Sequence, residues 1–169
     1  MSSLGEGGFL GRPELAQELK HLRAAVGTED ALRVVLANGC FDLLHVGHLR
    51  YLEDARSRGD VLIVAVNTDA SVRGLKGPDR PLMPLEERAE LLLGLRAVDF
   101  VVPFSEATLA ETLRELRPDV HAKGTDYSAD TVPERDIDQE LGIEIAICGD
   151  PKDHATTDMV TRLQGQAAD

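Results

Sequence analysis

The 169-residue chain carries 18 Lys and Arg against 30 Asp and Glu, a formal net charge of −12, which repels a polyanion and speaks against a nucleic-acid-binding surface. With 43% hydrophobic and 28% charged residues it has the make-up of an ordinary globular domain, large enough to bury a core without disulfides or a structural metal. No apolar stretch approaches the roughly 18 residues that span a bilayer, and Met1 to Gly11 lacks a basic region followed by an apolar run, so a cytoplasmic protein with no membrane contact is expected. Cys40 and Cys148 both end apolar runs and read as free thiols of a reducing compartment.

In chain order, Met1 to Gly11 is rich in Gly and Ser and reads as a flexible leader, its glycines following no strand. Pro13 opens a helical pattern in which Leu15, Leu19, Leu22 and Val26 share one face, ready to pack on the core or on a partner subunit. From Arg33 onward short apolar runs alternate with amphipathic ones. The strands are Val34 to Ala37, Val61 to Val66, Phe100 to Val102, Asp119 to Ala122 and Ile143 to Ile147, the last alternating like an edge strand. Helices begin near Gly47, Pro84, Ser105, Glu134 and Thr156. The alternation predicts an α/β fold, a Rossmann-like, doubly wound, five-stranded parallel sheet with helices on both faces. Residues 12–163 then form one domain, and residues 164–169 a flexible tail. The long connection from Asn67 to Met83 carries Arg73, Lys76 and Arg80 and reads as a functional lid or as a solvated excursion.

Ligands of open parallel sheets bind beyond the carboxyl ends of the strands, where the strand order reverses. Three polar segments fall at such ends: Asn38 to His48, Lys123 to Tyr127, and Gly149 to Thr157. The pair His45 and His48 spans a turn into a helix, where Gly47 gives room for close approach. A helix start offers N–H groups and positive potential, and imidazoles added there suit phosphate oxygens. The same pair also reads as helix caps, or with Cys40 as part of a metal site, although the spacing lacks a fourth ligand.

The string Gly39-x-Phe41-Asp42-x-x-His45-x-Gly47-His48 after the first strand resembles the signature of the cytidylyltransferase-like nucleotidyltransferases. Within that family the chain is most similar to the heptose 1-phosphate adenylyltransferases, through Leu75-Lys76-Gly77, Arg80-Pro81, Pro84-Leu85-Glu86 with Arg88, and Lys123-Gly124-x-Asp126-Tyr127. The similarity runs from about Arg33 to Arg162. The string from His45 to His48 also resembles the first signature of class I aminoacyl-tRNA synthetases, but the chain has no room for their further segments.

The resemblance implies transfer of AMP from ATP to a sugar phosphate, with D-glycero-D-manno-heptose 1-phosphate as acceptor, pyrophosphate as leaving group and ADP-heptose as product. It places Gly39, Cys40, Phe41, Asp42, His45, Gly47, His48, Lys123, Gly124, Asp126, Thr156 and Thr157 around the nucleotide. Asp42, Lys76, Arg80 and Arg88 are placed near the substrate phosphates, with His45, His48 and Lys76 as the catalytic groups. Arg88 also reads as a surface ion pair with Glu86, and Thr156 and Thr157 as plain N-caps. Magnesium is implied as a phosphate-bound ion, with no metal site of the protein's own, and a homodimer is implied. Asp153-His154-Ala155 departs from the glycine and Ser-Thr-Thr of the heptose enzymes. The alternatives are a cytidylyltransferase for glycerol 3-phosphate or a phosphorylated amino alcohol, and a regulatory module that binds nucleotide without turnover.

Overall fold

The computed structural model describes residues 7–27, 32–151 and 161. The start of the expected leader, the helix expected from Thr156 apart from the helical Thr161, and the expected tail lie outside the described residues. The elements run β1 (Gly8–Phe9), α1 (Arg12–Ala25), β2 (Val34–Gly39), α2 (Val46–Arg56), β3 (Val61–Asn67), α3 (Asp69–Lys76), α4 (Leu85–Leu93), β4 (Phe100–Phe104), α5 (Ala110–Leu116), β5 (Val120–Gly124), α6 (Arg135–Leu141) and β6 (Glu144–Cys148). The strands form one parallel sheet in the order β1-β4-β3-β2-β5-β6.

The two faces of the sheet bury separate apolar layers, which is why the central strands read as continuous apolar runs. On one face Val35, Ala37, Leu62, Val64 and Val66 meet Leu52 and Ala55 of α2 and Ala89 and Leu92 of α4. On the other, Val34, Leu36, Ile63 and Ala65 meet Leu15, Leu19 and Leu22 of α1 and Leu113 and Leu116 of α5. The α1 stripe is therefore used within the chain, while Val26, the last member of the expected face, is exposed. β6 pairs on one side only, with β5, and its Glu144 is exposed while Ala146 and Cys148 are buried, as an edge strand requires.

Three expectations are corrected. Gly8 and Phe9, assigned to a flexible leader, form a sixth strand beside β4, with Leu10 N–H donating to the Val101 carbonyl at 3.0 Å. The approach depends on Gly7, where a Cβ would sit 2.0 Å from the Asp99 carbonyl oxygen. The connection from Asn67 to Met83, read as a loop, contains α3. Its signals were caps and not periodicity: Thr68 caps the start through Ser71 N–H, Asp69 sits in the first turn, Arg73 and Lys76 in the last, and Gly77 closes it at φ 102°. Only Val72 of this helix is buried, so no apolar stripe announced it. Finally, the helix expected near Ser105 starts at Ala110, since Glu106 is held by Arg12 of α1 and accepts from Ser105 N–H at 2.9 Å.

Because Leu19 is 1% exposed between α1 and the sheet, Leu19→Ala is expected to cost about 2–5 kcal/mol. Urea denaturation measures it, and a loss below about 1 kcal/mol would mean that α1 does not dock on its own sheet.

Candidate active site

From β2 the chain winds outward through β3 to β4, then crosses back to place β5 on the other side of β2. The helix after β2 packs on one face and the helix after β5 on the other, so the two connections part and leave a crevice at the carboxyl ends. A cavity of about 660 Å³ opens there. Gly39, Cys40, Phe41, His45, Gly47, His48, Lys76, Lys123, Gly124 and Asp126 all line it. Segments up to 87 positions apart in sequence thus share one space. Thr156, Thr157 and the divergent Asp153-His154-Ala155 lie outside the described residues.

The turn between β2 and α2 is shaped by its own side chains. Phe41 holds φ at 48°, a left-handed conformation that few non-glycine residues adopt, and its ring is buried in the core beneath the turn. His45 is the N-cap of α2, its Nδ1 accepting from Gly47 N–H at 3.1 Å. A nitrogen that accepts carries no proton, so Nε2 is the protonated nitrogen of that ring. The His45 and His48 rings stack with centroids 3.9 Å apart, and His48 also meets Phe41 at 5.2 Å. α2 has no acidic residue in its first turn, so its positive end faces the cavity without a neutralising carboxylate of its own. The pair is at once a cap and a cavity wall, which unites two readings that the sequence left apart.

Opposite the turn, Lys123 is 5% exposed. Its Nζ donates to Asn38 Oδ1 at 3.1 Å and Glu134 Oε2 at 3.2 Å, and stands 4.9 Å from the centre of the Tyr127 ring, a cation–π contact. Burial pushes the Glu134 carboxyl up, but the Lys123 charge, the Leu109 N–H and His121 outweigh it and hold Glu134 below the usual range. Asn38 and Tyr127, the outer ends of two of the polar segments, line the cavity without having been assigned a role, and so does Glu134, which was not expected there. Glu134 was legible only as a helix start, because nothing local reveals that Lys123 would reach it.

Lys76 ends α3 and is exposed at the cavity rim. Burial pushes the Cys40 thiol up, opposed by the charges of Lys76 and Arg88, and burial with the Asp54 charge raises Cys148 to about 11. Neither cysteine is a ready thiolate nucleophile. Among the described residues no three His, Cys, Asp or Glu side chains are grouped to hold a metal, and no helix is long and apolar enough to cross a membrane.

Asp42, Arg80 and Arg88 depart from expectation, since none lines the cavity. The Asp42 carboxylate is buried and accepts from the Arg80 guanidinium, Leu82 N–H at 2.7 Å and Met83 N–H at 3.1 Å. Arg88 is fully buried and donates to Asp69 at 2.7 Å, the Cys40 carbonyl at 2.6 Å and the Met83 carbonyl at 3.0 Å. It is buried outside the cavity lining and is not the surface partner of Glu86 that its spacing also allowed. These groups tie the β2–α2 turn to α3 and to residues 80–83 from behind. Sequence spacing shows that an arginine lies near a motif, not whether it points into the crevice or under it.

With this geometry in place, the comparisons decide the family: the cytidylyltransferase-like profile matches residues 36–160. The chain belongs to the cytidylyltransferase-like family. The bifunctional protein HldE of Pseudomonas syringae pv. syringae is 46% identical over 95% of this chain and 33% of its own length. HldE of Alkalilimnicola ehrlichii is 46% identical over 93% of this chain and 32% of its own. The chain therefore spans about a third of the length of these relatives. A crystal structure of a lipopolysaccharide core biosynthesis protein from Thermoplasma volcanium aligns with TM-score 0.62 and 27% identity, over 72% of this chain and all of that one.

The Asp42 knot should govern acid stability. Burial raises the Asp42 carboxyl, but Met83 N–H, the Arg80 side chain and Leu82 N–H together hold it below its ordinary value. A carboxyl lowered on folding contributes stability that is full above its unfolded pKa of about 3.9 and is lost as pH falls through the folded value. Asp42→Asn should therefore be less stable at pH 7 by about 3 kcal/mol, and the gap to the parent should close below about pH 4. Urea midpoints at pH 7 and pH 3 measure this; a gap that is the same at both would remove Asp42 from the account.

Proposed function

We propose that the chain transfers AMP from ATP to D-glycero-D-manno-heptose 1-phosphate, releasing pyrophosphate and forming ADP-heptose. The observation that carries the reading is the convergence of His45, His48, Lys76 and Lys123 on one cavity at the start of α2, in a chain whose net charge is −12. A concentration of donors against so acidic a background suits a triphosphate. The choice of acceptor rests on the segments around Lys76 and Lys123-Gly124-x-Asp126-Tyr127 that resemble the heptose enzymes, and on the similarity to HldE.

In this mechanism an oxygen of the acceptor phosphate attacks the α phosphorus in line, and pyrophosphate leaves from the opposite side. A phosphate monoester with a second pKa of about 6 is already largely dianionic at neutral pH and requires no general base. The protein's work is then positioning and stabilisation of spreading negative charge. His45, with its proton on Nε2, and His48 face the phosphates from the helix start. Lys76 reaches them from the rim, and Lys123 holds the far wall. Magnesium would neutralise and orient the pyrophosphate group. The chain offers it no carboxylate cage among the described residues, with Glu134 engaged by Lys123 and Asp150 by Arg50, which fits an ion liganded mainly by substrate phosphates. A homodimer belongs to the same proposal, but the buried stripe of α1 does not supply its contact.

The test is pyrophosphate release on incubation with ATP or CTP and a panel of phosphorylated acceptors. Release with ATP and the heptose phosphate is expected. Release only with CTP and glycerol 3-phosphate or a phosphorylated amino alcohol would replace this reading with the cytidylyltransferase one. ATP binding without release in any combination would indicate a regulatory module. His48→Ala should lower turnover by roughly 100-fold or more with thermal unfolding little changed; near-normal turnover would take His48 out of the mechanism.

A further inference from the structure

Behind Lys123 lies a buried pair, His121 and Asp138, that the mechanism above does not use. His121, on β5, and Asp138, on α6, are both fully buried. His121 Nδ1 is 2.9 and 3.1 Å from the two Asp138 carboxylate oxygens, and Nε2 is 3.3 Å from Asn38 Oδ1. The same Oδ1 accepts from Lys123 Nζ at 3.1 Å, and Lys123 in turn pairs with Glu134. Five polar side chains thus run from α6 through the central strands to the cavity wall.

The proton assignments follow from the ends of this chain. An ammonium only donates, so the atom of Asn38 that faces Lys123 is the amide oxygen. Since that oxygen only accepts, His121 Nε2 must carry a proton, whichever way the proton between Nδ1 and Asp138 lies. Asp138 fixes the ring from the other side. With its oxygen held by two donors, Asn38 has only its Nδ2 hydrogens to offer a ligand, and Asn38 lines the cavity at the carboxyl end of β2.

We propose that His121, held by Asp138, is a positioning residue that locks the amide of Asn38 so that its NH2 group donates to a phosphate oxygen of the bound nucleotide. The inference rests on the nucleotide reading of the cavity. It adds a donor, Asn38, and explains a buried imidazole–carboxylate pair at a place where apolar packing would otherwise be the simpler way to fill the core. An amide already locked loses little freedom when the ligand arrives, so its hydrogen bond contributes more to binding than that of a freely turning side chain.

The test follows the Asn38 side-chain amide protons by NMR, assigned by their absence in Asn38→Asp, while magnesium tripolyphosphate and then magnesium ATP are added to the whole chain. Both probes should shift these signals in the parent. Asn38→Asp keeps the oxygens that Lys123 and His121 require but removes the NH2 group, so it should melt no lower than the parent while its ATP dissociation constant rises at least about 10-fold. The paired change His121→Leu with Asp138→Leu leaves net charge balanced and replaces a buried polar pair by apolar side chains, a change that folded proteins often tolerate. In that variant the amide signals should broaden or move before ligand is added, and ATP should bind roughly 3- to 10-fold more weakly. Amide signals of the parent that do not move at saturating ATP would overturn the proposal, even if the paired variant does not fold. So would unchanged ATP affinity in a folded paired variant. If the parent binds ATP with the expected shift but releases no pyrophosphate with any acceptor, the transfer reaction fails and this inference stands; normal turnover with unmoved Asn38 signals is the reverse case.

Discussion

A single buried carboxylate holds the two halves of the active-site rim in register. Asp42 lies within the β2–α2 turn, its side chain buried, and accepts from Arg80, Leu82 and Met83, so the segment after α3 cannot shift without unpairing a charge in the interior. Arg88 repeats the arrangement with opposite sign, joining the Cys40 carbonyl, the Met83 carbonyl and Asp69 at the start of α3. Leaving a buried charge without partners costs several kcal/mol, far more than a mobile surface loop would resist. The consequence is functional: Lys76, at the end of α3, is carried on a helix anchored beside the histidine turn instead of on a free loop.

The second organising feature is how an acidic protein builds a cavity suited to anions. The positive groups are not merely gathered; most are held by specific partners. Lys123 is fixed by Asn38, Glu134 and the Tyr127 ring, and Arg50 by Asp150 at 2.8 Å. The helix start contributes N–H groups and the stacked histidines. Such an arrangement keeps donors in place before any ligand arrives, which is where electrostatic stabilisation gains most over water.

Which residues face the cavity and which brace it from below is a distinction of direction, and direction is where sequence reading ran out. Arg80 and Arg88 carry the right charge near the right motif, yet both point away from the crevice. Glu134 belongs to no motif, yet lines it. α3 was missed because a two-turn helix with one buried residue leaves no periodic stripe, although its caps at Thr68 and Gly77 were in plain view. β1 was missed because two residues are too few to show alternation.

By itself the sequence determined the parallel α/β alternation, the central strands, the apolar stripe of Leu15, Leu19 and Leu22 and the position of the His45–His48 turn and of Lys123 at strand ends, because apolar periodicity and strand-end position are local properties written in short windows. The tertiary structure alone decided that Asp42 and Arg88 are braces, that Gly8 and Phe9 extend the sheet, and that His121, Asp138, Asn38, Lys123 and Glu134 form one chain. Those outcomes depend on pairings between residues up to 92 positions apart, and a buried polar group takes whichever partner the packed fold brings within hydrogen-bond reach.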